Sequence, residues 1–173
     1  MKRLSARIAL AAVPAALIVT AYAFAQGRMD CWMKGGGSVF DTAGGEVTWG
    51  DQRVTHGFEL HCDGRPNNLE INFHGQNTKF KLTNLTSAIC IDSPEIAPNP
   101  PGASFDTYIG AGTGRYGEGN GVPGFCASWI FTDAGEPGTP DTATIEITDC
   151  AGNTVASVAG PLLKGNHQAH SKL

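Results

Sequence analysis

The sequence predicts an all-β fold, an immunoglobulin-like β-sandwich, with a small β-barrel as the alternative. Three observations carry this expectation. Beyond residue 25 no segment repeats its apolar residues at helical spacing. Short segments instead alternate apolar and polar side chains. Gly, Pro, Asn and Asp cluster between them, and all 23 glycines fall after residue 25.

The first clear strand is 54–62, with Val54, His56, Phe58, Leu60 and Cys62 on one face and Thr55, Glu59 and His61 on the other. A turn-rich run, Asp63 to Asn68, follows. Leu69, Ile71 and Phe73 then alternate with Glu70, Asn72 and His74, so a hairpin is expected here. Placing Cys62 opposite Leu69 puts His61 opposite Glu70. Phe80 and Leu82 mark another short strand, and 85–92 a further one. Pro94, Pro98, Pro100 and Pro101 make 93–103 an irregular connection between sheets, because proline cannot donate to a ladder.

In the second half Phe125, Ala127, Trp129 and Phe131 share a face, and Ile145 and Ile147 alternate with Thr144, Glu146 and Thr148. The link from Asp133 to Asp141 reads as a turn. If those two residues pair, Cys126 falls opposite Thr148. Asp149 to Asn153 is a second turn, and Val155 and Val158 begin the last expected strand. The domain is expected to span 26–163, with 164–173 as a polar, loosely held tail.

Residues 1–25 carry a different signal. Lys2, Arg3 and Arg7 precede an apolar run from Ile8 to Ala23, and Ala23-Phe24-Ala25 is a small-x-small cleavage site. That order is a secretory signal peptide, so an exported protein is expected, periplasmic or extracellular. The remaining 148 residues suit one domain, and their nine basic and sixteen acidic residues give a net charge of −7. This balance argues against nucleic acid and anionic membranes as partners. No second apolar run is long enough to span a bilayer after cleavage.

Export makes disulfides the default for Cys31, Cys62, Cys90, Cys126 and Cys150. Cys126 and Cys150 lie near the ends of two strands joined by one turn, which suits a bridge. Cys62 ends an apolar face and Cys90 sits in a neighbouring strand, so these two are the second expected pair. Cys31 is then the odd one, open to forming a disulfide-linked dimer.

Several strings stand together in order. They are Met33-Lys-Gly-Gly-Gly-Ser38, His56-Gly-Phe-Glu-Leu-His-Cys-Asp63, Leu85-Thr-Ser-Ala-Ile-Cys-Ile-Asp92, Phe131-Thr-Asp-Ala-Gly-Glu-Pro-Gly138 and Gly165-Asn-His-Gln-Ala-His170. Between the third and fourth lie Phe105-Asp-Thr107 and Gly110-Ala-Gly-Thr-Gly-Arg-Tyr-Gly117. In this arrangement the chain resembles a family of secreted bacterial domains known as post-COAP, a domain of uncharacterised function. The resemblance runs from about Met33 to His170 and implies an exported all-β domain without naming a catalytic residue. It favours pairing Cys62 with Cys90, which fall in its motifs, whereas Cys31, Cys126 and Cys150 depart from it. Separately, Gly112-Thr-Gly-Arg-Tyr116 is similar to the Gly-rich turn of allene-oxide-cyclase-like and dirigent barrels, the basis of the barrel alternative.

Two residue groups have metal-binding chemistry. His61, His74, His167 and His170 offer imidazoles suited to Zn or Cu, against a reading as surface or docking residues. His56, on an apolar face, reads as a hydrogen-bonded core residue. Asp133, Glu136, Asp141 and Asp149 offer oxygens suited to Ca²⁺, against a reading in which Asp133 and Asp141 close a turn on backbone amides. Trp32, Trp49, Tyr108 and Tyr116 would suit a carbohydrate or peptide surface, whereas Trp129 reads as core. No catalytic constellation can be assigned by spacing. Three functions follow as expectations: a non-enzymatic exported module binding a protein or glycan, a metal-binding protein, and a cyclase-like barrel enzyme with one polar group near 112–116.

Overall fold

The structure, a computed structural model, describes residues 31–39, 46–47, 53–96, 103–136, 138 and 140–171. The expected signal peptide, Trp49, Pro98, Pro100 and Pro101 lie outside these residues. The described chain is all-β. Its strands are β1 (Cys31–Val39), β2 (Glu46–Val47), β3 (Val54–His61), β4 (Asn68–Phe73) and β5 (Thr78–Ile91), followed by β6 (Thr107–Gly117), β7 (Val122–Thr132), β8 (Thr142–Thr148), β9 (Thr154–Pro161) and β10 (Lys164–Ser171). They form one hydrogen-bonded sheet in the order β10-β1-β3-β4-β5-β6-β7-β8-β9-β2. Every adjacent pair is antiparallel.

Connectivity forces this sheet to curl. In a flat sheet β9 and β10 would stand roughly 40 Å apart, at about 4.8 Å per strand. Only Leu162 and Leu163 join them, a link that spans about 10 Å at most. The end of β9 therefore lies close to the start of β10, where the Leu163 amide donates to the Ser38 carbonyl of β1 at 2.9 Å. Register shifts at Leu82/Asn84 and Leu85/Ser87 in β5, and at Gly124 of β7 opposite Gly114/Arg115, mark the irregular points where strands bend.

The concave face holds the core. Met33, Leu60, Leu69, Ile71, Phe73, Phe80, Tyr108, Trp129, Phe131, Ile145 and Ile147 are all buried there. The faces expected from alternation hold for β3, β4, β7 and β8. The β3–β4 register differs from expectation, since His56 pairs with Ile71 and Glu59 with Asn68. The shift is four residues, an even number, so each side chain keeps its face. A longer loop is the cause: Asn67 Oδ1 accepts from the His61 amide at 2.6 Å, and the Pro66 carbonyl lies 2.9 Å from His61 Nδ1.

Three segments depart from the sequence reading. The expected polar tail is β10, paired with β1 from Cys31↔Ser171 to Ser38↔Lys164. The Gly-rich string 33–38, which carried no strand assignment, and 110–117, part of which resembles a Gly-rich turn, are both strands. In β6 the reason is steric. A Cβ on Gly110 would lie 2.6 Å from the Trp129 indole, and one on Gly112 or Gly114 would meet Leu82 or Phe80. Glycine occupies the inward positions because large neighbours already fill that space.

Candidate functional site

Inside the curl, His56 and His167 meet with their Nε2 atoms 2.8 Å apart. His167 Nδ1 lies 2.9 Å from the Thr132 carbonyl, which can only accept, so this nitrogen carries the proton. His167 Nε2 is then the acceptor and His56 Nε2 the donor. His56 Nδ1 is left as a buried lone pair without a partner. Phe58 and Phe131 stack at 4.3 Å beside the pair, and His56 stacks on Phe131 at 5.1 Å. Burial, helped by the neighbouring His167, holds the His56 pKa down to about 3. Burial also holds His167 down to about 4, against the hydrogen bond to Thr132. Both rings are neutral packing elements at physiological pH.

The carboxylates expected at a Ca²⁺ site separate into two places. Asp133 accepts from the amides of Gly135 (3.2 Å) and Ala169 (2.7 Å). Asp141 accepts from those of Ala134 (2.8 Å) and His167 (2.7 Å). Each of the four oxygens thus holds one backbone amide. Ala169 and His167 lie on β10, and their amides point away from β1. The two carboxylates satisfy that edge where a further strand would otherwise pair. Burial raises the pKa of Asp133, and pushes Asp141 up to about 6 with help from the charges of Asp133 and Glu136, against its amide bonds. Glu136 binds the Asn166 amide at 2.9 Å. Asp149 lies at the far end of β8, where it closes the 149–153 turn on the amides of Ala151 and Asn153.

The histidines expected as ligands are equally dispersed. His167 is in the core, and His74 Nε2 lies 2.8 Å from Thr55 Oγ1 on the outside of the β3–β4 hairpin. His61 and His170 flank Trp32 across three adjacent strands, with ring centroids at 5.8 and 4.0 Å from it. Trp32 stands between them, so those two imidazoles do not converge on one point. Among the described residues the one group of three or more metal-capable side chains is Cys31, Cys62 and Cys90.

The cysteines show where sequence reasoning fell short. Cys126 and Cys150 lie at bonding distance, with Cα atoms 5.0 Å apart. Cys31 is not an accessible terminal thiol. It is 2% exposed and within bonding distance of both Cys62 and Cys90. The physical reason is β10. That strand covers β1 on one side while β3 covers it on the other, so Cys31 sits inside the sheet.

The outer face of β5–β7 provides the contrasting surface. Ile89, Ile109 and Ile130 lie side by side across the three strands. Ile89 is 53% exposed, Ile91 42% and Ile130 40%. An open groove of about 390 Å³ runs beside them, lined by Ile91, Glu95, Ile96, Ile130 and Pro140 among others. Alternation reads Trp129 as core, which puts its neighbour Ile130 outward, and with Cys90 buried in the structure the same rule puts Ile89 and Ile91 outward. That was the available signal for this face. Comparison with family models, with curated proteins and with solved structures finds no match.

Proposed function

We propose that this chain is an exported, non-enzymatic binding module that docks a protein partner on the outer face of β5–β7. The observation that carries the reading is the row of isoleucines left open to solvent there. Isoleucine outside a core costs hydration free energy at about 25 cal/mol per Å², and contiguous exposed apolar surface marks interaction sites. The row carries aliphatic and hydroxyl side chains (Thr107 and Thr132 stand beside Ile91 and Ile130), which suits a protein surface better than a glycan. Export is supported by the leader-like pattern of 1–25 and by the proximity of Cys126 to Cys150. Membership of the post-COAP family belongs to the same proposal. So does reading the curl as an open barrel, which its continuous hydrogen-bonded ladder supports.

Photo-crosslinking in the native envelope tests the docking face. A photoreactive side chain at Ile130 or Ile89 is expected to capture one discrete protein band. The same group at Glu146, outward on β8, is the control and is expected to capture none. Equal capture at all three positions, or none at Ile89 and Ile130, refutes the docking face.

A further inference from the structure

We propose that Cys31, Cys62 and Cys90 form a thiol–disulfide exchange site, in which one disulfide migrates between two pairings that share Cys31. The three sulfurs lie within 4.8 Å of one another, and Cys62 Sγ is 3.1 Å from Cys90 Sγ. Cα separations are 5.7 Å for Cys31–Cys62 and 6.5 Å for Cys31–Cys90, so the backbone accommodates either bridge. A sulfur forms one disulfide at a time, and Cys150 sits with Cys126. One thiol therefore always remains beside the bridge.

The fold holds this trio in place from three strands. The Cys62 amide donates to the Cys31 carbonyl at 3.1 Å, which fixes the end of β3 against β1. Cys90 comes from β5, which runs well beyond the end of its six-residue neighbour β4. Tyr108, opposite Cys90 in the β5–β6 register, donates its hydroxyl to the His61 carbonyl at 3.2 Å. That bond ties the far half of β5–β6 to the residue before Cys62.

The exchange balances internally. The Cys62 thiolate attacks Cys31 Sγ of the Cys31–Cys90 bridge, and a Cys31–Cys62 bond forms as the old bond breaks. The electron pair leaves on Cys90, which takes up the proton that Cys62 lost. No oxidant or reductant is consumed. Cys31 and Cys90 are only 2% and 3% exposed, whereas Cys62 is half-buried. The Cys31–Cys90 isomer thus presents its spare thiol at Cys62, the accessible member. There it takes a low-molecular-weight disulfide, forming a mixed disulfide and releasing one small thiolate. A neutral bridge plus one thiol also suits the apolar core around the trio better than three thiolates holding a cation.

The inference rests on the export proposed above, because an oxidising compartment supplies the first bridge. The test is alkylation and non-reducing peptide mapping of the exported protein, with an aromatic disulfide reagent counting reactive thiols. One reactive thiol per chain is expected, at Cys62. Cys62→Ser and Cys90→Ser are each expected to lose it while keeping a Cys31 disulfide to the remaining partner. Label on Cys31 together with a Cys62–Cys90 bridge overturns the exchange site. So does a protein that carries one metal ion and yields three thiols on chelation. An intact Cys126–Cys150 bridge in either case leaves export standing. Five labelled thiols overturn export instead, and the same mapping after air oxidation then decides the trio on its own.

Discussion

His56 and His167 show how two ionisable side chains become core. Each ring is neutral when folded, yet titrates near 6.5 when the chain unfolds. The unfolded chain binds protons below that pH which the folded rings refuse until about 4 for His167 and about 3 for His56. Stability from this source is full above pH 6.5 and is lost as pH falls toward those values. Asp141 runs the other way. Raised to about 6, it takes its proton in the folded state first, so acidification from pH 6 toward 4 returns stability, and Asp133 shifts in the same direction. The histidine contribution can be isolated with His56→Phe, which keeps the ring stacked on Phe131 and exchanges the orphaned Nδ1 of His56 for an unpaired Nε2 on His167. The urea midpoint of this variant is expected to fall less between pH 7 and pH 5 than that of the wild type. An identical fall in both would show that His56 contributes nothing to acid sensitivity.

Among the strands, β6 is the instructive case. Its sequence lacks the β-branched alternation that marks a strand, because glycine stands at the inward positions 110, 112 and 114. Hydrophobic pattern alone gives no strand signal there. The strand forms because Trp129, Leu82 and Phe80 reach across from other strands and supply the apolar surface that β6 lacks. Gly110→Val is therefore expected to cost about 1–3 kcal/mol by overpacking against Trp129. Ala111→Val, on the outer face of the same strand, is expected to change stability by less than about 0.5 kcal/mol. Urea titration of both variants checks the contrast, and equal costs would mean that β6 does not face Trp129 through Gly110.

For the whole molecule the decisive contact is between its two ends. β10 pairs with β1, and its free edge is held by the carboxylates of Asp133 and Asp141 from the β7–β8 turn. The C-terminal strand is thus enclosed on both sides. Native-state hydrogen exchange is expected to give the amides of His167 and Ala169 protection equal to that of β7. Exchange of those two amides within minutes would show instead that the strand frays. Asp141→Ala removes the acceptor of the buried His167 amide and of the half-buried Ala134 amide, and is expected to cost about 1–3 kcal/mol for the His167 amide and less for Ala134. The measurement is again the urea midpoint, with protection lost first at His167.

Local alternation was enough to establish the all-β class, the inward faces of β3, β4, β7 and β8, and the Cys126↔Thr148 register across the 133–141 turn. These depend on neighbours in the chain and on a period of two, which a register error of four residues leaves intact. The amide-binding role of Asp133 and Asp141 was also legible, because short carboxylates in turns take backbone donors. The β10 strand, the His56–His167 pair and the Cys31–Cys62–Cys90 trio were not. Each joins residues far apart in sequence, and nothing in a polar tail or a lone cysteine reveals its partner. Pairing between strands far apart in sequence brought them together, with β10 against β1 and β1 against β3, in a sheet that the two-residue link from β9 to β10 keeps curled.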